Sequence, residues 1–194
     1  MGKPFPAAAI ALCVACGGGT DNSNSVNGTV SGESLNARDA VSNVVQVGSQ
    51  SVGVVMMTSA ANTCPVLTAN HQIKNCQALL FEIGVTGGDS RSIRAPSLAG
   101  AYPVYSSVAL PVSGKFAVVQ FAVVDATCTA AANLEAQSGT VTLTRIDASG
   151  YSGTFDATFA GGHLTGSFNT NLCTPFGTAV NTTCPPYGFH GGTQ

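Results

Sequence analysis

Apolar and polar residues alternate one for one through much of the second half of the chain. Residues 140–144 read TVTLT, and Ile146 carries the apolar register one step further. In 151–159 the apolar positions are Phe155, Ala157 and Phe159, and the polar ones are Thr154, Asp156 and Thr158. In 163–169 Leu164 and Phe168 are apolar with Gly166 between them, while His163, Thr165, Ser167 and Asn169 are polar. A period of two with one apolar face is the mark of half-buried antiparallel strands. Residues 147–150 (DASG) supply one turn. Gly161 and Gly162 supply another, because two-residue hairpins need the positive φ that glycine tolerates. A three-stranded meander is predicted. Its outer face carries Thr142, Thr144, Thr154, Asp156, Thr158, Thr165, Ser167 and Asn169, which read as a solvated face and as a candidate surface for a polysaccharide or a partner protein.

The first half reads as further strands. Residues 27–32 (NGTVSG) open the set. Residues 45–47 and 51–57 (SVGVVMM) are apolar and β-branched, broken at Gly48 and Ser49. Residues 79–85 (LLFEIGV) end at a TGGD turn, and alternation sets Glu82 on the solvent face opposite Phe81 and Ile83. Residues 115–124 (KFAVVQFAVV) have the density of a central strand. Residues 101–106 form a strand that Pro103 confines to an edge or a bulge. One helix is predicted over 63–75, with Thr63 as its cap, Pro65 in its first turn, and Cys64 and Leu67 on one face. Residues 35–44 read as a short helix or loop, and 125–137 as an Ala-rich loop or short helix holding Cys128. The expected fold is mainly β: an antiparallel sandwich or barrel-like sheet over 28–175 with one or two short helices. A Pro-, Gly- and Thr-rich tail follows over 176–194.

The N-terminus departs from this pattern. Lys3 precedes a short apolar run, AAAIALCV over 7–14, that ends in Ala15 and Cys16. A short apolar run closed by small residues is a secretory signal. Its ending on cysteine resembles the lipobox of bacterial lipoproteins, although Cys13 stands where that pattern usually has Leu. The resemblance implies cleavage between Ala15 and Cys16. It also implies a thioether-linked diacylglycerol on Cys16, with or without a further N-acyl chain. Residues 1–15 are then the signal peptide, and 16–27 a lipidated cysteine on a Gly/Ser/Asn tether. About eleven such residues reach about 18 Å on average. The implied location is the cell envelope, attached by lipid to the outer membrane at its periplasmic face or the cell surface. Gly17, rather than Asp, follows the cysteine.

Composition narrows the partners. Charged residues make up 8 % of the chain and net charge is −2, against an average charged fraction of about 25 %. No basic footprint for nucleic acid is present. Absent Trp argues against a sugar-stacking groove, with Tyr102, Tyr105, Tyr151 and Tyr187 the remaining phenols. The apolar run over 116–124 is interrupted by Gln120 and is too short to span a bilayer as a helix.

Seven cysteines are present. Processing removes Cys13 and lipidation uses Cys16, leaving Cys64, Cys76, Cys128, Cys173 and Cys184. An oxidising compartment favours pairing. Sequence proximity suggests Cys64 with Cys76 and Cys173 with Cys184, leaving Cys128 alone; Cys128 with Cys173 is the alternative. The spacings match no zinc site, and no metal or other cofactor is expected.

No catalytic set stands out. The segment 150–153 (GYSG) lacks the second spacing of a nucleophile elbow around Ser152. Cys128 with His163 or His71 would need a free thiol. His71, His163 and His190 lie on three separate elements. Of the carboxylates Glu82, Asp89, Asp125, Glu135, Asp147 and Asp156, Glu82 is the one whose burial would raise a pKa. The functional expectation is a non-enzymatic, lipid-anchored structural or binding module. The alternatives are a carrier for small apolar ligands with a pocket inside a barrel and, third, an envelope hydrolase.

Overall fold

The computed structural model describes residues 24–69 and 71–176. The lipobox, most of the tether, Cys184, Tyr187, His190 and the tail from residue 177 lie outside the described residues. The expected mainly-β fold is what the chain adopts. In chain order the elements are β1 (Ser25–Val30), β2 (Asp39–Val47), β3 (Gln50–Thr58), α1 (Thr63–Thr68), β4 (Cys76–Gly87), β5 (Asp89–Arg94), β6 (Gly100–Pro103), β7 (Gly114–Val124), β8 (Ala130–Asp147), β9 (Gly150–Phe159), β10 (Gly162–Asn169) and β11 (Asn171–Leu172). The strands form one curled sheet in the order β1-β10-β9-β8-β7-β4-β3-β2-β11, with β5 added to β4 and β6 to β8. All pairings are antiparallel except that of β11 with β2, so the sheet is mixed and closes to a half-barrel.

Strand β8 produces the curl. Its first part pairs with β7 through Glu135, and from Ala136 onward it pairs with β9. The register slips between Ala136 and Ser138 and again between Leu143 and Arg145. Bulges of this kind bend and twist a strand. Where β8 leaves β7, the short β6 fills the gap. It pairs with residues 140–143 of β8, and Tyr105 N–H then bonds Ala117 O on β7 at 2.9 Å. Pro103 is its last residue, where the missing N–H does least harm. At the other side, residues 170–173 cross from β9 to β2. Thr170 N–H bonds Tyr151 O, Leu172 N–H bonds Ser149 O, and Cys173 N–H bonds Ser42 O.

The concave side is filled with side chains. Phe81 lies at its centre, 5.1 Å from the Phe155 ring and 5.4 Å from that of Phe168. Both partners sit opposite glycines: Phe155 pairs with Gly166, and Phe168 with Gly153. A Cβ at Gly166 would stand 2.8 Å from the Phe155 ring, so the missing side chain is what lets the ring lie across the neighbouring strand. Tyr102 is fully buried and donates from its hydroxyl to Leu98 O at 2.5 Å.

A second core lies behind β2, β3 and β4. Val41, Val54, Met56 and Leu80 pack there against Leu67 of α1, Cys173 and Phe176. Strands β3 and β4 are therefore buried on both faces, which explains their near-continuous apolar runs.

Several expectations are corrected. The helix stops at Thr68 instead of running to residue 75, and its N-cap is Asn62 in a left-handed conformation with no side-chain cap bond. Thr63 is the first helical residue, and its N–H is taken by the Asp39 carboxylate at 2.6 Å. Asp39 itself opens β2, so the second part of 35–44 is strand. Residues 125–137 hold no helix. The Asp125 carboxylate accepts the N–H groups of Thr127 and Thr129, and Cys128 has φ 70°, a turn geometry a helix cannot contain. Strand β8 begins at Ala130, directly after this turn. The first strand starts at Ser25, inside the stretch expected to be tether.

Candidate functional site

The polar row expected on the meander is present, and it is broader than the meander. Strand β1 adds to the free side of β10 and supplies Ser25, Asn27 and Thr29. Register then aligns residues across four strands. Ser25, Ser167, Thr154 and Thr142 form one transverse row, and Asn27, Thr165, Asp156 and Thr140 the next. Thr29, His163, Thr158 and Ser138 form a third. Neighbouring strands lie about 4.8 Å apart, and rows about 6.8 Å apart along a strand. Thr154, Asp156 and Thr158 are exposed; Thr142, Thr165, Ser167 and Asn169 are half-buried. Buried Phe155, Ala157 and Leu164 hold the strands from beneath.

Short polar contacts order this face. Ser25 and Ser167 share a hydroxyl bond of 2.9 Å, and His163 Nε2 meets Asp156 Oδ1 at 2.9 Å. At one end Arg145 Nε donates to Ser152 Oγ at 2.9 Å, and Arg145 also donates to Asn169 Oδ1 at 2.8 Å. Ser152 donates to the same Asn169 oxygen at 2.7 Å. Ser152 is thus a fixed member of a hydrogen-bonded cluster. Thr144 departs from the expected row. It is the extra residue of the Leu143/Arg145 bulge and donates to Ser152 O. The contribution of β1 was missed because SVNGTV carries too few apolar positions to reveal its pairing partner.

A second cluster lies on the outer face of β4, β7 and β8. Glu82 is on the opposite side of β4 from Phe81 and Ile83, as alternation requires, but that side is covered and Glu82 is 8 % exposed. Burial, with the Glu135 charge as a lesser contributor, pushes its carboxyl up to about 7. Gln120 of β7 pairs with Leu80 on one side and Glu135 on the other. For Glu135, burial acts upward but is outweighed by hydrogen bonds from Ser107, Ser106 and Gln120, and its carboxyl stays below the usual range. Ser107 N–H reaches Glu135 Oε1 at 2.9 Å. Glu82 Oε1 and Gln120 Oε1 are buried without a hydrogen-bond partner.

The cysteines pair differently from either sequence scheme. Cys64 is bonded to Cys173 with a Cα separation of 5.6 Å, tying α1 to the segment after β11. Cys76 opens β4, buried against Val124 and Cys128, and its thiol is free. Cys128 is disulfide-bonded, so it supplies no nucleophile for His163 or His71. Asp147 serves its turn, accepting Ser149 N–H at 2.8 Å, and pairs with Arg145 at 3.1 Å. No family model, no curated protein and no solved structure matches the chain.

Proposed function

We propose that this chain is a lipid-anchored protein of the bacterial envelope, held through Cys16 and the membrane lipid attached there. Its role is that of a non-enzymatic binding module working through the outer face of β1, β10, β9 and β8. The observation that carries the reading is the alignment of Ser, Thr and Asn side chains in register across four strands. Such a face presents hydroxyl donors and acceptors at regular spacing with almost no net charge. It suits a neutral hydroxyl-rich polymer, and envelope polysaccharide is the partner proposed. Strand β1 begins nine residues after Cys16 in the numbering, so the tether would enter the domain beside this face.

The side chains packed around Phe81 support the module over a carrier, because they occupy the space an apolar ligand would need. An open recess at the β4–β5 hairpin is lined by Val85, Gly87, Gly88, Ser92 and Arg94. Two measurements test the proposal. Intact mass of protein taken from its native membrane should lack residues 1–15 and carry a diacylglyceryl group; a lipid-free mass refutes the anchor. Co-sedimentation with insoluble envelope polysaccharide should be reduced several-fold by joint Thr154→Val and Thr165→Val substitution. Equal sedimentation of the variant refutes the face, and absent sedimentation of the wild type refutes the polysaccharide.

A further inference from the structure

Of the seven cysteines in the chain, the described residues hold Cys64, Cys76, Cys128 and Cys173. Cys64 and Cys173 are bonded to each other, Cys76 is a free thiol, and Cys128 is disulfide-bonded. The sulfur joined to Cys128 therefore belongs to Cys13, Cys16 or Cys184. Reach favours Cys184. It follows Phe176 by eight residues, which span at most about 28 Å. Phe176 is buried in the core behind β2, β3 and β4, and Ile73 packs against both that core and the cluster of Cys76, Val124 and Cys128. One side chain thus links the surroundings of Phe176 to those of Cys128. The leader is worse placed. Ser25 stands in the row of Thr142, twelve positions along β8 from Ala130, a strand path of about 40 Å. The nine residues from Cys16 to Ser25 span at most about 32 Å. Processing removes the leader cysteines as well: cleavage discards Cys13, and lipidation consumes the Cys16 sulfur. That step rests on the anchor reading proposed above. The backbone at Cys128 adds a local sign. Its φ of 70° lies in the left-handed region, which is unfavourable for a residue with a Cβ and is where turns favour Gly or Asn. A cysteine held there is explained by what its sulfur does.

We propose that Cys128 is bonded to Cys184, so that a second disulfide fastens the C-terminal segment to the turn between β7 and β8. The bond forms between the two Sγ atoms with loss of both thiol protons and two electrons. An oxidised dithiol or a small-molecule disulfide takes up those electrons and is reduced to thiols. The mature chain then carries two disulfides and one thiol, Cys76, which accounts for its odd number of cysteines. Cys76 lies in the same apolar cluster as Cys128. Burial raises the pKa of its thiol, so the thiolate that would attack the neighbouring bond is scarce. The pairing therefore stays as formed.

The test is a peptide map of the protein taken from its native membrane, which needs no variant to fold. Free thiols are alkylated as the chain is denatured, which prevents exchange. Trypsin and chymotrypsin are used together. Cleavage at Lys74 separates Cys64 from Cys76, and cleavage at Phe176 separates Cys173 from Cys184. The expected result is a linked pair of peptides holding Cys128 and Cys184, which separates on reduction, with the alkyl group on Cys76. An alkylated Cys128, or a Cys128 linked to Cys64, Cys76 or Cys173, overturns the proposal and leaves the anchor standing. A link from Cys128 to Cys13 or Cys16 overturns the proposal and the anchor together. The mass of the N-terminal peptide, with or without a diacylglyceryl group, tells the two failures apart. In a Cys184→Ser variant, Cys128 should become alkylated or newly joined to Cys76. A Cys128 bond unaltered by that substitution overturns the proposal.

Discussion

Replacing Glu82 by Gln isolates one ionisation and reads it as stability. The substitution keeps the size and shape of the side chain and removes its ability to become charged. In the unfolded chain this carboxyl titrates near 4.5, and in the folded protein near 7. Below pH 4.5 it is neutral in both states. As pH rises toward 7 the unfolded chain loses the proton and the folded protein keeps it, so the folded state binds more protons and stability falls. The loss is complete once pH passes the folded value. A rise of about 2.5 units corresponds to about 3 kcal/mol. Burial at 8 % exposure means that solvent does little to reduce it. Asp125, Asp147 and Glu135, whose folded values are lowered, act in the opposite sense at lower pH and are common to both proteins. Urea unfolding of wild type and Glu82→Gln, measured from pH 4 to pH 8, should therefore diverge. The two should nearly coincide at pH 4, apart from a constant offset, and the variant should gain about 3 kcal/mol relative to wild type by pH 8. A difference that stays flat within about 1 kcal/mol across that range would show that Glu82 is solvated, and both its burial and its high value would be wrong.

Other perturbations follow from the packing. The Cys64–Cys173 bond spans 109 residues, and closing a loop of that size contributes about 4–5 kcal/mol in the chain-entropy model. Joint replacement of both cysteines by Ala should lower urea stability by up to that amount, measured by circular dichroism. Gly166→Ala would set a methyl 1.9 Å from Ser25 O and against the Phe155 ring; a loss of at least about 2 kcal/mol is expected, with faster amide exchange in β1 than in β9. Phe81→Ala, at the junction of two ring contacts, should cost about 3–5 kcal/mol in the same assay. The Cys76 thiol is buried and burial raises its pKa, so peptide mapping should find it unalkylated in the native protein and fully alkylated in denaturant.

Alternation at Phe155, Ala157, Phe159, Leu164 and Phe168 was enough to place the meander, because a two-residue period on one buried face admits a single register. The apolar runs at 51–57 and 79–85 likewise announced strands. What the runs did not reveal was their double burial. A strand covered on both faces has no alternation left, so the neighbours of Glu82 could not be inferred from its own segment. The Ala-rich stretch after Asp125 was ambiguous because alanine fits a helix and a strand alike, and one left-handed residue, Cys128, settled it locally.

By itself the sequence determined the mainly-β class, the three strands of the meander, the turn at Asp147 and the polar character of the outer face. These depend on neighbours two to four residues apart. The tertiary structure alone decided which cysteines meet, that β1 pairs with β10, that β6 fills the gap between β7 and β8, and that Glu82 is buried on the face of β4 opposite Phe81. These depend on contacts between residues tens of positions apart. Such contacts arise from the curl of the whole sheet, and hydrophobic burial sets that curl without leaving a local signature in any single segment.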